Sequence, residues 1–235
     1  ARFRSELTAH LDWFAERGRT VRFWWRDDDA VEPTADLDRL LSIAKEHDVD
    51  VALAVIPKDA TQALADRLAG ELKVKQLQAA LQKRGHDVEV VNAGVSGDTT
   101  ADGLARLDWS VGPDANAVIV ELGANDALRG LPPEKTRENL SEIVSRLTER
   151  NVKVLVAGML APRNLGDDYA SSFDPIFADV SRIHGALLYP FFLQGVAMKP
   201  ELNLADGMHP TGEGVSIIVQ NMLPAVEDLI EDAPV

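Results

Sequence analysis

Cysteine is absent from the 235 residues, so disulfides and thiolate metal sites are both excluded. That lack fits a reducing compartment, and a cytoplasmic protein is the expectation. Positive charge is scarce: 24 Lys and Arg stand against 38 Asp and Glu, for a net charge of −14. A chain this acidic is repelled by nucleic acid and by anionic membranes, so neither is expected as a partner. No apolar run approaches the ~20 residues needed to cross a bilayer. The opening stretch, Ala1 to Arg19, has an amphipathic helical pattern with charges throughout and lacks the apolar centre of a signal peptide. Internal repeats and low-complexity segments are missing as well. What is left has the 46% hydrophobic and 26% charged residues of an ordinary globular protein. Its length allows one large α/β domain or two small ones.

The residues that are there alternate strand with helix. Val21 to Trp25 reads as a short aromatic strand, and the stretch from Ala35 to Glu46 as a helix with Leu37, Leu40, Leu41 and Ala44 on one face. The unbroken apolar run Val51 to Ile56 is that of a parallel strand buried on both sides. A long helical segment follows from Asp59 to Lys83, with Gly85 placed to stop it. Further strands are expected at Val88–Val91, Ala117–Val120, Val152–Val156 and Ala186–Tyr189, with helices over Glu134–Arg150 and Gly212–Ile230. Strands and helices in this order give a parallel sheet covered on both faces.

Three short segments stand out from this regular pattern. Asn92-Ala-Gly-Val-Ser-Gly-Asp-Thr99 follows the Val88 strand, Glu121-Leu-Gly-Ala-Asn-Asp126 follows the Ala117 strand, and Asp206-Gly-Met-His-Pro210 precedes the last helix. Parallel α/β sheets build their sites at such places, beyond a strand's carboxyl end. Taken singly, each has a plainer reading as a turn or a local cap. Together and in this order they resemble the SGNH (GDSL-type) ester hydrolases, thioesterase and arylesterase branch, from about Leu77 to Ile230. The resemblance implies His209 as general base, Asp206 as the carboxylate that orients it, and the Gly97 N–H and Asn125 amide as oxyanion donors. It implies ester or thioester hydrolysis with no cofactor, and a small acyl ester as partner.

The pattern breaks where the nucleophile belongs. The family's first strand runs into Gly-Asp-Ser-Leu, and this sequence contains no such tetrapeptide. By spacing, Lys58-Asp-Ala-Thr61 stands in its place, and Ala60 falls on the serine. Thr61, one position on, reads as a helix cap. Ser96, beside Gly97, reads as part of its loop. A triad without its nucleophile keeps only residual catalysis. Very weak activity, or none, is therefore expected.

The first 70 or so residues have another likeness. Phe23-Trp-Trp-Arg-Asp-Asp-Asp29, Pro33-Thr34 and Ala52 to Pro57 resemble the opening of a polysaccharide-deacetylase-type barrel. That family places an aspartate pair after its first strand, so Asp27, Asp28 and Asp29 are the matching metal-site candidates. It also needs two histidines four apart, and His10, His47, His86, His184 and His209 offer no such pair. Carboxylates without imidazoles hold a transition metal poorly. The triplet therefore reads as a solvated strand end, and no metal is expected.

These readings give a single domain, 1–235, built from a deacetylase-like segment (1–70) and an SGNH-like segment (71–235). The join lies within Ala69–Gln76, inside one helix. A seam that removes half of each site points to an engineered fold chimera, with a natural decayed homologue as the alternative. The fold expected is three-layer α/β/α, flavodoxin-like. Val51–Ile56 would lie at its centre, and Val21–Trp25 would be an added edge outside Val88–Val91. The aromatic edge, Phe23 to Trp25, invites a homodimer. Alternatives for function are a non-enzymatic protein that only folds, or a metal-dependent deacetylase.

Overall fold

The computed structural model describes residues 23–26, 51–54 and 62–234. Two compact units divide at Leu68/Ala69. In the first, β1 (Phe23–Arg26) pairs in parallel with β2 (Val51–Ala54), with Phe23 opposite Val51 and Arg26 opposite Ala54. The two form a two-stranded sheet.

Helix α1 runs unbroken from Gln62 to Lys83, through the Ala69–Gln76 segment. Its end is set by Gly85: the Gly85 N–H reaches the Gln82 carbonyl at 3.0 Å and the His86 N–H reaches that of Leu81 at 3.1 Å. Those two bonds satisfy carbonyls that the last turn would otherwise leave bare.

The second unit holds a parallel sheet in the order β3 (Ala117–Val120), β4 (Lys153–Ala157), β5 (Leu187–Tyr189). Val118 lies opposite Val154, and Val156 opposite Leu188. β4 is buried along Val154 to Ala157, as a central strand covered on both faces must be. Helices α5 (Pro133–Glu149) and α7 (Ile176–His184) pack on each other and on β4, while α8 (Gly212–Asp232) packs on β4 and β5. That is the three-layer α/β arrangement. Between layers lie Leu140, Leu147, Leu155, Phe173, Ile176 and Ile218, all essentially without solvent exposure. Short helices α2 (Thr100–Ala105), α3 (Leu107–Ser110), α4 (Ala124–Leu128) and α6 (Asp167–Phe173) fill the connections.

The expected strand at Val88–Val91 does not form. The segment is nonetheless patterned like one. Val88 and Val90 pack against the core while Asp87, Glu89 and Val91 are exposed. Among the described residues it has no neighbouring strand. Instead the Gln78 side chain of α1 donates to the Val88 carbonyl and accepts from the Val90 N–H. One amide thus stands in for a partner strand at those two groups.

Candidate active site

The turn carrying Asp206 and His209 is built on a small antiparallel ladder. Asn203 bridges Pro210, the Leu204 N–H donates to the His209 carbonyl at 2.7 Å, and the Thr211 N–H donates to the Leu202 carbonyl at 2.9 Å. The Asn203 amide anchors the near side, donating to the carbonyls of Val196 and Lys199. Thr211 then caps α8, accepting from the Gly214 N–H.

Across this frame the Asp206 carboxylate collects its donors. Oδ1 accepts the N–H groups of Met208 at 2.8 Å and His209 at 3.0 Å, and Oδ2 lies 2.7 Å from His209 Nδ1. Partial burial works to raise the Asp206 pKa. The two backbone donors, the imidazole bond and the imidazole charge outweigh it and hold the carboxyl at about 2. An ionised carboxylate at Nδ1 fixes the ring's orientation, a service a general base needs.

The oxyanion candidates form a second cluster, around the loop that feeds α2. Gly97 has φ +83°, a conformation that glycine adopts without strain. Its carbonyl accepts from the Arg129 guanidinium at 2.7 Å. The next carbonyl, that of Asp98, accepts from the Asn125 amide at 3.0 Å. The Asp98 N–H closes a turn on the Val95 carbonyl at 3.3 Å. Thr99 caps α2 in a reciprocal box with Asp102, whose carboxyl is held below its ordinary range mainly by the Thr99 N–H and hydroxyl. The peptide planes on either side of Asp98 are therefore pinned, and the Gly97 N–H, in the peptide just before them, meets no acceptor among the described residues.

Asn125 is placed by its neighbours. Gly123, at φ +101°, turns the chain out of β3, and α4 begins at once. A Cβ on Gly123 would come within 3.0 Å of the Phe177 ring, so no larger residue fits there without movement. Asp126 is buried at 1% exposure and accepts from the Thr100 N–H, the Thr100 hydroxyl and the Thr136 hydroxyl.

The structure thus joins Asp206 to His209, and Asn125 to the Gly97 loop. Ala60 and the metal candidates Asp27, Asp28 and Asp29 lie outside the described residues. Among the described residues no three His, Asp or Glu gather as metal ligands, and no helix is long and apolar enough to cross a membrane. Sequence reading missed Asp98, Arg106, Arg129 and the Thr100–Asp126 pair. Arg106 binds Asp98, the Ala93 carbonyl and the Ser110 hydroxyl together, fastening the loop to α3. The signal available was two arginines in a chain poor in cations, each close in sequence to a site motif.

The Asp206–His209 pair and the Asn125–Asp98 bond thus stand on loops of a parallel α/β sheet. The comparisons give it a family: the chain belongs to the GDSL-like Lipase/Acylhydrolase family, which matches residues 59–217. It is 37% identical to Esterase TesA of Pseudomonas aeruginosa over 67% of this chain and 79% of that protein. It is 40% identical to an arylesterase of Vibrio mimicus, over 58% of this chain and 69% of the relative. Among solved structures, the crystal structure of TesA superposes with a TM-score of 0.64 at 36% identity, covering 66% of this chain and 87% of that one. The psychrotrophic esterase EstA from Pseudoalteromonas sp. gives the same TM-score at 31% identity, over 67% and 87%.

Proposed function

We propose that this chain is an ester-hydrolase scaffold, for carboxylic esters or thioesters, that keeps its base and oxyanion donors but lacks the serine of a Gly-Asp-Ser-Leu turn. The observation that carries the reading is the 2.7 Å contact between Asp206 Oδ2 and His209 Nδ1, set in a sequence that has no such tetrapeptide. The names of the relatives, an esterase and an arylesterase, support the substrate class. On this reading a small acyl ester is the partner, and neither nucleic acid nor membrane takes part. His209 would activate a water in place of a serine, so hydrolysis is slow.

The same proposal covers the first segment: residues 1–70 derive from a deacetylase-like barrel opening joined to the hydrolase within Ala69–Gln76. Three things favour this origin. The contact boundary falls at Leu68/Ala69. β1 pairs with β2 as consecutive barrel strands do. The named relatives align with no more than 67% of this chain.

An aryl acetate assay tests the functional reading. Wild-type turnover should be weak, His209→Ala should bring it to background, and Ala60→Ser should raise it if the turn sets the hydroxyl ~3 Å from the imidazole. Rapid wild-type turnover that survives His209→Ala would place the chemistry elsewhere and sink the proposal.

A further inference from the structure

A cleft of about 230 Å³ lies between residues 91–95 and the start of α3, where Arg106, Trp109 and Ser110 line it. Neither His209 nor Asn125 contributes to its walls. Val91 and Val95 are more than half exposed there, and Trp109 is 73% exposed. Apolar side chains gathered in water around one opening mark a binding surface, as singly scattered ones do not. The charged group in the wall is Arg106, whose side chain is only 16% exposed. A guanidinium has five N–H donors. Here Nε serves the Asp98 carboxylate, and Nη1 serves the Ala93 carbonyl at 2.6 Å and the Ser110 hydroxyl at 2.8 Å. Nη2 meets no acceptor among the described residues. Donors so far out of water are costly to leave unpaired, and a ligand oxygen would satisfy them.

We propose that this cleft binds an aromatic carboxylate, its ring against Trp109 and the two valines and its carboxylate on Arg106 Nη2. Room and charge select that class. About 150 Å³ suffices for a benzene ring. A singly charged carboxylate matches the open edge of the guanidinium, while a chain of net charge −14 repels a phosphate dianion more strongly. The indole face adds stacking that an aliphatic acid does not use. This site goes beyond the hydrolase reading and does not depend on it, because none of its groups is a catalytic candidate.

The test needs no turnover. The full chain, labelled with nitrogen-15, is titrated with benzoate, benzyl alcohol and acetate in turn at constant ionic strength. The signals followed are the Trp109 indole N–H, the Arg106 Nε–H and the Gly94 and Ser110 amides. Benzoate should shift all four and saturate. Benzyl alcohol keeps the ring without the charge, acetate the charge without the ring, and each should bind about tenfold more weakly or worse. Trp109→Ala, at an exposed position outside the core, should keep the wild-type melting temperature and weaken benzoate about tenfold, read at Gly94 and Ser110. Equal affinities for benzoate and benzyl alcohol overturn the proposal, because the cleft would then be a plain apolar surface. Benzoate that moves the Trp109 signal and leaves Arg106 still overturns it as well. So do shifts that never saturate, and so does benzoate binding that Trp109→Ala leaves unchanged.

Discussion

Thr100 and Asp126, 26 residues apart in sequence, are joined by two hydrogen bonds inside the protein: the Thr100 N–H lies 2.8 Å from one carboxylate oxygen and the Thr100 hydroxyl bonds the other. Thr100 opens the helix that follows the Gly97 loop, and Asp126 adjoins Asn125. The pair therefore ties together the two segments that carry Gly97 and Asn125. Asn139 adds a donor to the Thr100 hydroxyl at 3.1 Å.

Asp126→Asn should break this tie. An amide offers one acceptor oxygen where the carboxylate offers two, and it turns an NH2 toward donors already in place. At a site this buried the expected loss is about 2 kcal/mol, read as a lower urea midpoint with an unchanged slope. An unaltered midpoint would show that the pair holds nothing together.

Acid should act through Asp206. Its carboxyl titrates at about 2 in the folded chain against an ordinary 3.8. The folded state therefore keeps the charge to lower pH than the unfolded state does. The stability this contributes is fully present above the unfolded value and drains away as pH falls from about 4 to about 2. Urea midpoints of wild type and Asp206→Asn should differ at neutral pH and converge across that window. Parallel curves would rule out the assignment.

Helix α1 can be tested directly. Val74 sits well inside Gln62–Lys83, where a proline removes a backbone hydrogen bond and clashes with the preceding turn. Val74→Pro should cost ~3 kcal/mol or more, a large share of a domain's stability. Unchanged melting would mean that the segment is not a working helix.

Zinc should find no home in Asp27–Asp29. Calorimetry on the whole chain should detect only weak, non-stoichiometric heat, because carboxylates alone satisfy zinc poorly. One tight site lost in Asp28→Ala would favour the deacetylase alternative.

Periodicity served well wherever a segment's neighbours were fixed by burial. The apolar run at Ala117–Val120 became β3 over those same residues, and the closing helix expected from Gly212 begins at Gly212. It failed at Val88–Val91, because alternation reports which side chains are buried and says nothing of what the backbone bonds to. The Gln78 amide occupies two of those groups, a contact between a helix and a loop with no trace in local sequence. In the candidate site, motif spacing singled out Asp206 and His209, which the structure brings into contact, and Asn125, which it bonds to the Gly97 loop. The Arg129 contact with the Gly97 carbonyl escaped because it spans 32 residues of chain.

β3 is the last strand of its sheet, and past it the described structure has no further strand to receive its outer N–H and C=O groups. Its sequence, Ala-Val-Ile-Val, is the sort another copy of the chain pairs with readily. The net charge of −14 keeps copies apart in dilute buffer, and salt shortens the reach of that repulsion to about 10 Å at 0.1 M. Shelf life and the highest usable concentration thus depend on ionic strength: a preparation clear at low salt should turn turbid as salt is added, well before heat unfolds it.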